Sequence, residues 1–451
     1  MMGDKTMKKH ITLKKIILPI VLLVFGSFMG MLLLVLAYQI PVERIHKHIK
    51  ESVYVFNHED AAYYFAGNAT DLNSDSFQLL AAGNGIDGNA WKTAANIWIP
   101  QMNGKSPAEL VCTIYRQEIP VDSYGTSYAR YWHGYLILLK PLLFIFNYME
   151  LRYLMIAVEI TLFLLDGVLL FQKYGMQYVF AFLTFYLFLN PLVVASSLNY
   201  STDVILAFGG TTVVMVGFHF WQKHAYAICL LFMTLGMVTS YMDLLTAPCL
   251  TLCIPLITFL TGQWIYYDEI DCSDMRQCGH KDGVFIYISS LIGGIVGWAF
   301  GYIGMWAGKL VVGSCIVGRN LWTEAVATAK WRMSNFSDNI VLTTKQVIDS
   351  NISEISIVFW FLFVAIIFLV ILSGSFSTHS IHRYGVKIDM MYVFSMILMI
   401  MVPFLWYNVT KNHSYQHCWF TYRELGITIY AIVLLAIYIG NYRKRYKHDD
   451  Y

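Results

Sequence analysis

Charge is what this chain has least of. Lys, Arg, Asp and Glu supply 13% of its 451 residues, against roughly 25% in a soluble domain. The shortfall excludes a molecule wetted on all sides, because most of the chain must then lie in lipid or in a bundle interior. Net charge is only +2, and no basic stripe carries interleaved aromatics, so no nucleic-acid partner is expected. The chain has no Walker loop, no serine nucleophile elbow and no dinucleotide fingerprint. No internal repeat is visible, which argues against a transporter built from duplicated halves. Cys229, Cys249 and Cys253 fall in apolar stretches and read as packing residues. Cys272 and Cys278 share a loop that lacks the further ligands a zinc site needs. A disulfide among Cys112, Cys315 and Cys418 stays open, with no pair selected.

Long apolar runs are what the chain has instead. A helix needs about 20 apolar residues to cross a bilayer. Ten segments qualify as spans: Ile16–Ile40, Tyr153–Phe171, Tyr178–Ser197, Val204–Trp221, Ala225–Ser240, Leu245–Thr261, Val284–Ile303, Ile357–Leu372, Met390–Trp406 and Ile427–Ile439. Gly134 to Asn147 is shorter, holds Lys140–Pro141, and reads as a re-entrant or interfacial helix. Lys and Arg then alternate between loops: Lys173, Lys223, Arg276 with Lys281, Arg383 with Lys387, and the tail Arg443, Lys444, Arg445 and Lys447 all fall on one side. The positive-inside bias makes that side the cytoplasm. The first span follows Lys5, Lys8, Lys9, Lys14 and Lys15 and reads as an uncleaved anchor, with no small-x-small site after it.

The expected fold is therefore an all-α polytopic membrane protein with about ten transmembrane helices, a short interfacial helix and a large extracytoplasmic first loop. Its parts are residues 1–40 (cytoplasmic start and first span), 41–152 (outer loop), 153–440 (bundle) and 441–451 (basic tail). Both termini are expected inside. The aromatic content of 16% suits interfacial belts of Trp and Tyr. Trp322 to Met333, in an outer stretch expected from Gly304 to Ser356, reads as a helix on the membrane surface. Gly293, Gly297 and Gly301, at four-residue spacing, predict two helices in close approach.

Three outer segments carry the candidate chemistry. The first loop, from Pro41 to His133, holds ten of the 29 acids: Glu43, Glu51, Glu59, Asp60, Asp71, Asp75, Asp87, Glu109, Glu118 and Asp122. Asp71 and Asp75 stand where turn residues give way to an apolar run. They read either as a helix cap or as a general base at the membrane surface. Arg130, Trp132 and His133 form a cation, ring and imidazole cluster just before the short helix. An Arg there forks onto phosphate or snorkels in a belt. Lys140, inside an apolar run, calls for a partner, and Glu159 and Asp166 share one face of the next span. The last outer loop offers Asn412, His413, His417 and Arg423. Two His at four-residue spacing can ligate a metal, but no glutamate lies between them in the zinc-protease manner, so no cofactor is predicted and a divalent metal is unsupported. Asn199, Asp203 and Asp243 end spans on the same side and are candidates to line a shared cavity.

Tyr128-Ala-Arg-Tyr-Trp-His-Gly-Tyr135, Tyr241-Met-Asp-Leu-Leu-Thr-Ala-Pro248 and the Asn412–Arg423 segment together resemble a poorly characterised family of bacterial, mainly Gram-positive, multi-spanning proteins. That family is similar in layout to GT-C glycosyltransferases. The resemblance implies a plasma-membrane enzyme that moves a sugar from a polyprenyl-phosphate donor to a cell-envelope glycan or lipid acceptor. It implies an essential acid in the first outer loop, with Ser74-Asp75 fitting the motif and Asp71 able to take the role. It further implies cations for the donor phosphate among Arg130, Lys140, Lys330, Arg332 and Arg423, and sugar-facing rings among Trp132, Trp331 and Trp419. A transporter or lipid-carrier flippase is the alternative, with Lys140, Glu159 and Asp166 as its path.

Overall fold

The computed structural model describes residues 2–59, 64–65, 67–117, 125–269, 280–337, 340–375 and 386–448. Asp60, Glu118, Asp122, Cys272, Arg276, Cys278 and Arg383 lie outside these. Among the described residues the chain is all-α apart from three short antiparallel strand pairs.

The first helix, α1 (Met2–Tyr38), carries the first apolar run and ends at Tyr38. The segment expected as the first outer loop then folds as a small helical layer beside the bundle, the outer layer of the fold. It comprises α2 (Val42–Glu51), α3 (Val53–Glu59), α4 (Leu72–Gly83), α5 (Ala90–Ala95) and α6 (Pro107–Gln117). The strand pairs β1 (Tyr64–Phe65) with β2 (Asn68–Ala69), and β3 (Trp98–Pro100) with β4 (Gly125–Ser127), close its turns. The short helix α7 (Leu136–Ile145) follows. A capping box between Asn147 and Glu150 starts α8 (Tyr148–Tyr174), satisfying its first free N–H groups.

The next apolar run, Tyr178 to Ser197, does not form one straight helix. It breaks into α9 (Met176–Phe188) and α10 (Pro191–Ala195). Asn190 adopts a left-handed conformation (φ 59°) and Pro191 follows it. Neither can continue the helix: one reverses the backbone and the other lacks its donor. Beyond it come α11 (Leu198–Val216), α12 (Phe218–Trp221), α13 (Ala225–Met242) and α14 (Cys249–Glu269). In α14 the most apolar stretch is 89% buried, which makes it the hub that the other helices surround.

The helix α15 (His280–Val317) runs for 38 residues, about 57 Å. It continues through Gly304–Val317, where a loop was expected. The sequence stays apolar there, and the two polar-headed residues find partners in the outer layer. Trp306 donates its indole N–H to the carbonyl of Arg130 (3.2 Å), and Lys309 donates to that of Ala95 (3.0 Å). The glycines of α15 do allow close approach. A Cβ on Gly297 would lie 2.2 Å from the carbonyl oxygen of Cys229, and one on Gly301 2.0 Å from that of Met233, so any side chain would push α13 away. The remaining elements are α16 (Trp322–Arg332), the pair β5 (Phe336–Ser337) with β6 (Ile340–Val341), α17 (Thr344–Ser353), α18 (Ile357–Ser375), α19 (Val386–Val409), α20 (Lys411–Gln416), α21 (Cys418–Thr421), a 3-10 turn Tyr422–Glu424 and α22 (Leu425–His448).

Among the described residues seven stretches are long and apolar enough to cross a membrane, lying on α1, α8, α13, α14, α15, α19 and, as one segment with α21, α22. An eighth results if the bent pair α17 and α18, at 80°, counts as one span. This is a multi-pass membrane protein. Two of the ten expected spans fall short for visible reasons. The α9–α10 run is broken, and α11 opens with the polar residues Asn199, Ser201 and Asp203, all buried. Two cores result. One joins the outer layer to the ends of α1, α7 and α8, and the other fills the bundle around α14. Cys112, Cys315 and Cys418 are all free thiols.

Candidate functional site

The first turn of α4 carries two acids that do different things. Asp71 is the N-cap, its carboxylate accepting from the Ser74 amide (3.0 Å) and the Ser74 hydroxyl (2.5 Å). That is the bonding a helix start asks for. Asp75 points into the protein and accepts from Tyr148 Oη (2.6 Å), Ser197 Oγ (2.9 Å), and the amides of Leu198 (3.0 Å) and Asn199 (3.1 Å). It thereby anchors the N-terminus of α11 to the outer layer. Burial pushes the Asp75 carboxyl up to about 6, against the pull of these donors and of Arg152.

Asp71 faces a cavity of about 570 Å³. Its wall draws on segments from across the chain: Asp71 from α4, Tyr128, Tyr131 and His133 from the stretch before α7, Asn199 from α11, Thr246 from the turn after α13, Arg332 from α16, and His413, His417, Trp419 and Phe420 from the segment between α19 and α22. Parts of all three motifs found in the sequence meet here. Tertiary contacts hold them. Asp243 accepts from the amides of Leu245 (2.8 Å) and Thr246 (3.0 Å), folding a turn in which Leu245 has φ 70°. The Leu245 carbonyl in turn accepts from His413 Nε2 at 2.9 Å. This donation fixes the His413 tautomer and leaves its Nδ1 as a bare acceptor, buried without a hydrogen-bond partner.

The imidazoles at this cavity are neutral. Burial lowers His133 to about 3, helped by Lys309 and Arg130. Burial, with Arg332 close by, lowers His417 to about 4, against the opposing pull of Asp71. His413 is driven well below its ordinary value by burial, Arg332 and His417. His133, held at φ 52° with Nδ1 3.0 Å from Tyr135 Oη, keeps a buried Nε2 without a partner, and His417 keeps such an Nδ1. The wall therefore offers unsatisfied ring nitrogens, the charges of Asp71, Arg332 and Glu354, and several aromatic faces. The His413 and His417 rings lie 4.8 Å apart, but among the described residues no group of three or more His, Cys, Asp or Glu could hold a metal.

Other predicted residues lie elsewhere. Arg130 stacks against the rings of Tyr128 (4.8 Å) and Tyr131 (4.9 Å), so it backs the wall rather than lining it. Trp132 is buried and donates to the Met305 carbonyl at 2.7 Å. Asn412 donates to the Trp331 carbonyl at 3.0 Å, tying α20 to α16. Arg423 lies over the ring of Tyr200 at 3.8 Å and donates to the Trp419 carbonyl at 3.0 Å. Lys140 is fully buried, over the Tyr38 ring, and donates to the carbonyls of Ala82 (2.8 Å) and Asn84 (2.9 Å). The expected pairing of Lys140 with Glu159 or Asp166 is absent, because the end of α4 supplies its acceptors. Glu159 accepts instead from Tyr186 (2.8 Å) and Asp166 from Thr212 (2.6 Å). Asp203 accepts from the Ala247 amide at 2.7 Å. Sequence reasoning missed Glu354 and Phe77, which also line the cavity. Glu354 lies in the turn between α17 and α18, with no motif to mark it. No family profile, curated protein or solved structure is similar to the chain.

Proposed function

We propose that the chain is a membrane glycosyltransferase of GT-C-like layout, working on the extracytoplasmic face of a bacterial plasma membrane. It takes a sugar from a polyprenyl-phosphate donor and passes it to a glycan or lipid acceptor of the cell envelope. On the topology proposed with this reading, ten spans with the α9–α10 run and α11 counted among them and both termini in the cytoplasm, the cavity faces outside. The observation that carries this reading is the convergence of Asp71, Arg332, the neutral histidines and the ring faces of Tyr131 and Trp419 on one cavity. Asp71 takes the proton of the acceptor hydroxyl as that oxygen bonds to the anomeric carbon. The bond from that carbon to the phosphate oxygen breaks, and the phosphate leaves with the electron pair beside Arg332. The bare ring nitrogens accept hydrogen bonds from sugar hydroxyls.

In reconstituted membranes supplied with a polyprenyl-phosphate sugar, Asp71→Asn is expected to lower transfer by about 100-fold or more with melting unchanged. A second reading, a transporter, is favoured by Glu159 and Asp166. Each is buried in α8 and keeps one carboxylate oxygen without a hydrogen-bond partner, and intramembrane acids mark transport paths. No transfer by the wild type, with transmembrane movement of a substrate that Glu159→Gln abolishes, would replace the first reading by the second.

A further inference from the structure

A second cavity, of about 1300 Å³, opens in the outer layer and shares no lining residue with the first. Its walls come from the end of α1, from α2, from the turn after α4, from α5 and from the β3–β4 pair. Three lysines line it. Lys47 and Lys50 stand three residues apart on α2, which puts them on one helix face, and Lys92 comes from α5. All three are exposed at the rim. Glu43 and Asp87 line it too, and Lys47 also makes a loose pair with Glu51 at 3.8 Å.

Two aromatic walls complete the cavity, and glycines make room for them. A Cβ on Gly83 would lie 2.0 Å from Tyr115 Oη, and one on Gly125 would lie 2.7 Å from the Trp98 ring. Trp98 is nonetheless half exposed, at 50%. The space exceeds the roughly 300–1,000 Å³ of a drug-sized pocket. Ammonium groups in this setting pair with phosphate as point charges. Carboxylates beside them repel a bare polyanion but accept hydrogen bonds from hydroxyls. A flat indole face suits a sugar ring.

We propose that this cavity binds a phosphorylated sugar, with the lysines on the phosphate, Glu43 and Asp87 on hydroxyls and Trp98 against the ring. The group can arrive on a soluble molecule or as the headgroup of a lipid. The floor residue Tyr38 ends the first membrane helix, so either source has access. The site stands apart from the proposed transfer chemistry and does not depend on it.

The test uses the full chain in neutral detergent, with calorimetric titration of glucose 1-phosphate, glucose and inorganic phosphate. A second arm uses mixed micelles containing a glycosyl phospholipid. Saturable binding of glucose 1-phosphate, with glucose at least tenfold weaker, supports a soluble source. Binding seen only in the mixed micelles supports a lipid source. In either arm Lys50→Gln with Lys92→Gln is expected to weaken binding at least tenfold, and Trp98→Ala to weaken the sugar phosphate while leaving inorganic phosphate unchanged. Asp71→Asn, in the other cavity, leaves binding as it was. The proposal is overturned by no binding in either arm, by full affinity in the double lysine variant, by an Asp71→Asn effect as large as the lysine effect, or by indifference of the sugar phosphate to Trp98→Ala.

Discussion

The two cavities are built on opposite physical plans. The smaller one is walled by side chains drawn from Tyr64 to Phe420, several of them buried. The larger one is walled almost wholly by the outer layer, and its charged side chains stand in water. In the first, burial decides protonation: histidines lose their charge, and hydrogen-bonding capacity is what they offer a ligand. In the second, the lysines are exposed at the rim, and attraction at a distance is what they offer. Dry sites discriminate by geometry, and wet ones by charge and salt.

The contrast can be broken most sharply at Asp75. It lies under the first cavity and holds the start of α11 by four hydrogen bonds. Asp75→Asn, which cannot accept from all those donors, is expected to cost about 3 kcal/mol, read as a fall in melting temperature in detergent, unlike the silent Asp71→Asn. Because burial raises the folded-state value to about 6, the folded protein holds this proton more tightly than the unfolded chain. The wild type therefore loses Asp75's share of stability as pH rises from about 4 to about 6, and the variant lacks that slope.

Next in size is Lys140→Met. Lys140 fixes the carbonyls of Ala82 and Asn84, at the edge of the second cavity. Leaving those carbonyls unpaired is expected to cost about 2 kcal/mol, with glucose 1-phosphate binding weakened alongside. Stability lost with binding kept would separate Lys140 from the second cavity.

The smallest effect sharpens the dry half of the comparison. The folded protein keeps His417 neutral down to about pH 4, whereas the unfolded chain takes up a proton below about 6.5. Stability from this group is present above about pH 6.5 and falls as pH drops towards 4. Between pH 7 and 5, His417→Gln is expected to lose about 2 kcal/mol less than the wild type, measured by melting at both values. Parallel losses would mean that burial does not hold His417 neutral.

Much of the architecture was legible because apolar runs of span length have few options in lipid. Each of the ten runs is helical over most of its length. The misses sit where a local feature overrode length. Asn190–Pro191 broke one run, and α15 extended beyond its expected end because Trp306 and Lys309 found carbonyls in the outer layer. The site was legible only in part. His133, His413 and His417 belong to motifs marked by their polar composition against an apolar background, and they do line the cavity. Arg130, Lys140 and Arg423 looked the same in sequence, yet they lie against rings and carbonyls and do not line the cavity.

The amino-acid order by itself settled the membrane class, the helical content and which short segments carry polar chemistry, since hydropathy and charge act locally and need no partner to be read. Which of two acids four residues apart meets the cavity, and which ties down a neighbouring helix, was settled only when α11 packed against α4. A side chain's protonation and its remaining hydrogen-bonding capacity depend on what the rest of the fold places around it.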